Sequence, residues 1–198
     1  MYITIYGASS KTIDKAFLDE AFNLGKRCAE RGHGVVFGAG DNGVMGEVAR
    51  GAYSKNGEII GIAPNFFNVD GVLFPNCTRL IHTDTMRERK ALLESLGDGF
   101  IIAPGGIGTY DEFFEILTLK QLERHGKPMA VLNTNGFYDG LMAFLETAIE
   151  KRFMKEGVKK LFGVFQTIDE AIDYVENYVH TPLHLSELKD VELINGKN

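Results

Sequence analysis

Short apolar runs alternate with longer stretches in which apolar residues recur every three or four positions, and this alternation continues almost without a break to about residue 178. Tyr2–Tyr6 reads as a strand ending at Gly7. Ile13, Phe17, Ala21, Leu24 and Cys28 then mark one helical face, stopped by Gly32 and Gly34. Residues 35–37 form the second predicted strand, 44–54 a helix, and 58–63 a third strand closed by Pro64 and Asn65. Residues 66–78 read as irregular, with Phe66, Phe67 and Phe74 among turn formers, and a connection of that length is often functional. A strand at 80–82, a helix at Met86–Leu96 and an apolar strand at 100–103, ended by Pro104, come next. A helix at 109–124, a strand at Met129–Leu132, a helix at 138–151, a strand at Gly163–Phe165 and a helix at 168–178 complete the series.

Repeated βα units with short apolar strands predict a parallel sheet covered by helices on both faces. Right-handed crossovers make that a doubly wound, three-layer α/β/α fold. Residues 1–180 are expected to form one nucleotide-binding domain, and residues 181–198 a polar tail. A chain of 198 residues suits one sizeable core rather than two. The net charge of -6, from 21 basic and 27 acidic residues with no basic stripe, argues against a nucleic-acid partner. A locally positive pocket for a phosphorylated small molecule is compatible with it. The N-terminus shows no signal peptide, and no apolar run approaches the ~18 residues that span a membrane. Cys28 and Cys77 form no Cys-x-x-Cys pair, so a reducing, cytoplasmic setting is expected. His180 and His184 are the one close histidine pair, beside Pro182, and no metal site is expected.

In open parallel sheets, ligands bind at the carboxyl ends of strands. Three such ends carry small residues: Gly7-Ala8-Ser9-Ser10, the loop at 38–46, and Pro104 to Thr109. The second contains Gly38-Ala39-Gly40-Asp41-Asn42-Gly43, formally a dinucleotide fingerprint. The next strand ends in Ala63-Pro64-Asn65 and lacks the acid that holds an NAD ribose, so a tight turn is the plainer reading. The third reads Pro104-Gly105-Gly106-Ile107-Gly108-Thr109-Tyr110-Asp111-Glu112 and opens a helix. Its glycines allow close approach of a ligand, and the unpaired N–H groups of a helix start point at an anion. No Gly-Lys-Ser/Thr ending follows, which excludes the ATPase P-loop. Thr109-x-x-Glu112 is also a capping-box spacing, so Glu112 has a structural alternative. A carboxylate at ~5 Å repels a phosphate charge by about 3 kcal/mol at an effective dielectric near 20, which places Glu112 one sugar away from phosphate, near a ribose.

Met86-Arg87-Glu88-Arg89-Lys90 opens another helix. Arg89 shares a face with Leu92, Leu93 and Leu96, so it needs an anionic partner, either a ligand or a protein carboxylate. Arg87 is expected to face solvent, and Lys90 to supply a second positive charge.

These segments resemble the LOG ("Lonely guy") family of cytokinin riboside 5′-monophosphate phosphoribohydrolases, whose relatives often carry the label "lysine decarboxylase-like". Pro104 to Glu112 matches the family's P-G-G-x-G-T-x-x-E signature, and Met86 to Lys90 resembles its M-H-x-R-K segment. The loop at 38–46 resembles its glycine-rich loop, and Gly126-Lys127-Pro128, Leu132-Asn133 and Phe137-Tyr138 are also similar. The resemblance covers residues 1–178. It implies a Rossmann-like fold, a homodimer with sites near the subunit interface, and no cofactor. It also implies catalysis by Arg89 and Glu112, with Lys90, Gly105, Gly106, Ile107, Gly108, Thr109, Thr118 and Gly43 at the substrate. Departures lie at Arg87 in place of His, Ala39 within the glycine trio, and Ile107 in place of an aromatic residue. Residues 65–78 do not match the family's substrate loop, where Asp70 is the one candidate for its acidic residue. The base preference is the property these departures touch.

The chemistry expected is hydrolysis of the N-glycosidic bond of AMP or an N6-substituted AMP. Positive charge builds on the ribose during that reaction, and a neighbouring carboxylate stabilises it or activates water. A nucleotide carrier or sensor using the same loops is the alternative. A lysine decarboxylase would need pyridoxal phosphate on a lysine with an acidic partner for its ring nitrogen, and no motif places one.

Overall fold

The protein is described by a computed structural model that covers residues 1–67, 71–183 and 185–188. The expected Asp70 and His184, and residues 189–198 of the expected tail, lie outside the described residues. The elements run β1 (Tyr2–Tyr6), α1 (Lys15–Glu30), β2 (Gly34–Phe37), α2 (Gly43–Tyr53), β3 (Ile59–Pro64) and β4 (Arg79–Thr83). They continue with α3 (Met86–Leu96), β5 (Gly99–Ile102), α4 (Ile107–Gln121), β6 (Met129–Leu132), α5 (Asp139–Glu150), β7 (Gly163–Phe165), α6 (Ile168–Asn177) and α7 (Leu185–Leu188). The strands form one parallel sheet in the order β4-β3-β2-β1-β5-β6-β7. The predicted doubly wound α/β/α fold is therefore what the chain adopts.

Strand periodicity sorts the core into two layers. Ile3 and Ile5 of β1, Val35 and Phe37 of β2, and Ile101 of β5 pack on one face with Leu24, Cys28, Val48 and Ile172 from α1, α2 and α6. Tyr6, Val36, Phe100 and Ile102 point to the other face, against Leu93, Phe113 and Ile116 from α3 and α4. The buried Thr4 on this second face donates its hydroxyl to Leu93 O at 2.7 Å, which satisfies a polar group inside the layer.

Helices α1 and α2 approach so closely that glycine is required at the contact. A Cβ on Gly51 would lie 1.9 Å from Phe22 O, and one on Gly25 1.9 Å from Val48 O. Gly51→Ala is expected to destabilise the fold by about 1–3 kcal/mol, because backbone rather than a movable side chain must give way. A urea-unfolding midpoint equal to that of the parent would contradict this close approach.

Several boundaries differ from the sequence reading, each for a local reason. α1 begins at Lys15, with Asp14 Oδ1 accepting from Ala16 N at 3.0 Å, so Ile13 precedes the helix. α4 starts two residues earlier than predicted, with Gly106 at the N-cap position and no side-chain capping bond, and the capping box expected at Thr109 and Glu112 does not form. Capping boxes form instead at Thr85 with Glu88 and at Thr167 with Glu170. Two described leucines within 181–198 pack on the domain. Leu188 is buried, Gln121 Nε2 donates to its carbonyl at 3.0 Å, and Leu183 packs on the second core layer. Among the described residues no helix is long and apolar enough to cross a membrane.

Candidate active site

The strand order reverses between β1 and β5, and a cleft of about 420 Å³ opens at the carboxyl ends of the strands there. This is where doubly wound sheets bind ligands, and the volume suits a small molecule. Its walls come from the β1 loop (Gly7 to Ser10) and the first turns of α2, α3 and α4, together with Phe67 after β3.

The α4 wall is built for an anion. Gly106 caps the helix without any side-chain hydrogen bond, so the first N–H groups of the helix are left to the cleft. A Cβ at Gly106 or Gly108 would meet nothing within 4 Å, so protein packing does not demand glycine at either place. Their bareness keeps backbone accessible to a ligand. Gly105 is different: its missing Cβ would fall 2.1 Å from Thr109 Oγ1, so it makes room for Thr109, which is buried behind the loop. Ile107 projects at the rim, 87% exposed.

Arg89 stands one turn into α3 and is only 7% exposed. Its Nε donates to Ile62 O at 3.2 Å, and Nη1 donates to Glu112 Oε1 at 3.0 Å. The Leu-lined helix face thus finds its anion in a protein carboxylate, and that carboxylate is the other residue expected to act in catalysis. Burial pushes the Glu112 carboxyl above the usual glutamate range, with the Arg89 charge opposing it. The third contact of the guanidinium explains the glycine loop: a Cβ at Gly38 would sit 2.0 Å from Arg89 Nη2. The rest of that loop is a turn braced by the 65–78 connection, through Asp41 N to Val72 O at 2.9 Å and Phe74 N to Ala39 O at 2.8 Å.

Lys90 donates to Glu115 Oε2 at 2.6 Å and to Asp111 Oδ2 at 3.1 Å. The bond to Glu115 raises its pKa, so the ammonium is held charged at the cleft edge. Thr118 lies outside the cleft, exposed in a shallow neighbouring depression that shares Lys90 and Asp111 with it. Gly43 does not line the cleft either. It has φ +64°, and a Cβ there would come within 2.7 Å of Ala8 O and Ser10 O, so it lets α2 start beneath the β1 loop. The structure thus brings Arg89, Lys90, Gly106, Ile107, Gly108, Thr109 and Glu112 to one cleft, and leaves Gly43, Gly105 and Thr118 behind or beside it. Met45, Phe67, Met86 and Asp111 line the cleft and were not singled out from sequence. Their signal was positional, since each follows a strand end or opens a helix.

Fold and cleft together define a Rossmann-like α/β protein with a helix start that lacks a side-chain cap beside a buried arginine–carboxylate pair. A family model described as "Possible lysine decarboxylase" matches residues 45–175. "Cytokinin riboside 5′-monophosphate phosphoribohydrolase LOG" of Oryza sativa subsp. japonica is 33% identical over 177 residues, 89% of this chain and 73% of its own length. "Probable cytokinin riboside 5′-monophosphate phosphoribohydrolase LOGL5" of the same plant is 30% identical, over 94% of this chain and 76% of its own. The chain belongs to this family, the LOG family of the lysine decarboxylase-like proteins. Among solved structures, the molybdenum cofactor carrier protein of Chlamydomonas reinhardtii matches with a TM-score of 0.67 at 22% identity, covering 88% of this chain and 95% of that one. The molybdenum cofactor binding protein of Rippkaea orientalis gives 0.66 at 20%, covering 88% and 93%. At these identities the likeness concerns the fold.

Proposed function

We propose that this protein hydrolyses the N-glycosidic bond of a nucleoside 5′-monophosphate, AMP or an N6-substituted AMP, to the free base and ribose 5-phosphate. The observation that carries this reading is the Glu112–Arg89 pair, 3.0 Å apart, in the same cleft as the uncapped N-terminus of α4. The names of the relatives support the same chemistry.

In this reading the 5′-phosphate takes the N–H groups of Gly106, Ile107, Gly108 and Thr109, with Lys90 as a nearby countercharge. Binding energy from the phosphate positions the sugar over Glu112. The Glu112 carboxylate accepts a proton from water as the water oxygen bonds to C1′. The C1′–N bond breaks with its electron pair leaving on the base, the base takes up a proton from solvent, and Glu112 releases its proton to solvent. A guanidinium does not release protons in proteins. Arg89 therefore acts as a fixed charge that orients Glu112 and faces the departing base. Thr118 and the homodimer enter at the depression beside Lys90: a second copy placed there brings Thr118 to the edge of an enclosed site. A cytoplasmic setting accords with the cysteine pattern. Pyridoxal phosphate chemistry is disfavoured because Lys90, the lysine of the cleft, is a paired ammonium rather than the free amine a Schiff base needs.

The test is incubation of the protein with AMP and with isopentenyladenosine monophosphate, scored by chromatography. Release of base and ribose 5-phosphate in equal amounts is the expected result, and the ratio of the two rates reports base preference. Binding of both nucleotides without release would replace the hydrolase with a carrier or sensor.

A further inference from the structure

The strand order gives the cleft a direction. The ends of β5, β1, β2 and β3 stand side by side, so three inter-strand steps of ~4.8 Å, about 14 Å in all, separate the β5 end from the β3 end. The anion-receiving start of α4 follows β5. Arg89 lies across the middle, touching Ile62 O of β3, the Gly38 position after β2, and Glu112 of α4. At the β3 end the character of the wall changes. Phe67 after β3 and Met86 at the start of α3 line the cleft there, and Met45 from the first turn of α2 lines it beside Gly38, toward the β2 end. Phe67 and Met86 are 41% and 39% exposed and belong to neither core layer, while Met45 is half-buried against the first layer.

Phe67 is held rather than loose. It ends the 3-10 turn Asn65–Phe67, and the Phe66 ring packs edge-on against it at 4.8 Å between centroids. Asn65 Nδ2 donates to Asp84 Oδ1 at 2.9 Å, and Asp84 N donates to Glu88 Oε2 at 2.9 Å. Glu88 immediately precedes Arg89, so the aromatic turn is tied to the helix start that carries the proposed catalytic arginine.

We propose that Phe67, flanked by Met45 and Met86, is the specificity-determining platform on which the base of the nucleotide stacks. This rests on the nucleotide reading above. An aromatic face with two thioethers offers area and polarisability but no donor or acceptor pattern. It selects a base by stacking area and shape, so purine nucleotides are favoured over pyrimidine nucleotides. Arg89, the polar group beside Met45, already donates to Ile62 O and Glu112, and the Ser10 hydroxyl is paired with Thr12 at 3.2 Å.

The experiment compares Phe67→Ala and Phe67→Trp with the parent protein, using AMP, CMP and ribose 5-phosphate. Dissociation constants are measured by titration, alongside turnover. Phe67→Ala is expected to weaken AMP binding roughly ten-fold, as loss of one base-stacking ring does. The AMP-over-CMP preference should shrink, ribose 5-phosphate binding should stay unchanged, and Phe67→Trp should retain the preference. Equal weakening of AMP and ribose 5-phosphate, or an unchanged AMP-to-CMP ratio, overturns the proposal. Binding is read separately from turnover. A parent protein that binds AMP without cleaving it removes the hydrolase reading and leaves the Phe67 comparison decisive. A parent that binds none of the three ligands overturns both.

Discussion

Glu112→Gln is expected to lower kcat by roughly 10²–10⁴-fold with little change in KM, the size of effect associated with loss of a positioned general base. Glutamine keeps the shape, and its amide oxygen still accepts from Arg89 Nη1, which the carboxylate meets at 3.0 Å. Alanine is a less clean choice. It strands a guanidinium that is 7% exposed, and removing one member of a buried pair costs about 3–5 kcal/mol. With glutamine, the loss of turnover separates from loss of fold, and a thermal melt on the same sample checks the separation. KM should hold because in the proposed mechanism the phosphate is held by the α4 backbone. The pH profile adds a second readout. The working form is the anion, and burial holds the Glu112 pKa above the ordinary glutamate value. kcat/KM should therefore fall on the acid side as pH drops through that raised value. This limb should vanish from the residual activity of the glutamine variant. Turnover within about three-fold of the parent would remove Glu112 from the chemistry.

Gly38→Ala is expected to cost roughly 10²-fold in kcat although residue 38 touches no substrate in the proposed mechanism. The new Cβ would lie 2.0 Å from Arg89 Nη2, 3.1 Å from Met45 Sδ and 3.2 Å from Arg89 Cζ. The backbone at the end of β2 is fixed by its ladder, so the flexible end of Arg89 is what moves. Displacing a catalytic group by about 1 Å is enough for a loss of this order. A purely structural defect would lower the melting temperature and leave the pH profile alone. Displacement of Arg89 does something else: it withdraws the charge that lowers the Glu112 pKa, so the acid limb of kcat/KM moves to higher pH. Unchanged kcat together with an unchanged acid limb would show that Gly38 serves only as a turn.

The glycine-rich stretches illustrate how far composition can be read. Gly106 and Gly108 read as a ligand loop because they follow a buried strand and open a helix, and a Cβ at either would meet nothing within 4 Å. Gly38, Gly43 and Gly105 look the same in sequence but serve other side chains and backbone: Arg89, the β1 loop and Thr109 respectively. A glycine records only that a Cβ is unwelcome, and the group that excludes it comes from elsewhere in the chain. Phe67 was missed for a related reason. It sits in an irregular connection without period, and its place in the cleft follows from which strand end it stands beside.

The sequence by itself determined the alternation of strands and helices, the two-faced burial of the sheet and the anion-ready start of α4. It also showed that Arg89, lying among leucines, required a negative partner. These follow from the period of one element against water and from local backbone chemistry, which act over a few residues. Tertiary structure alone decided that the partner is Glu112, 23 residues away on another helix, that Gly38 makes room for their contact, and that Phe67 lines the same cleft. Those relations depend on how β2, β3 and β5 are ordered in the sheet. That order is set by the packing of all the layers at once, and no single segment carries it.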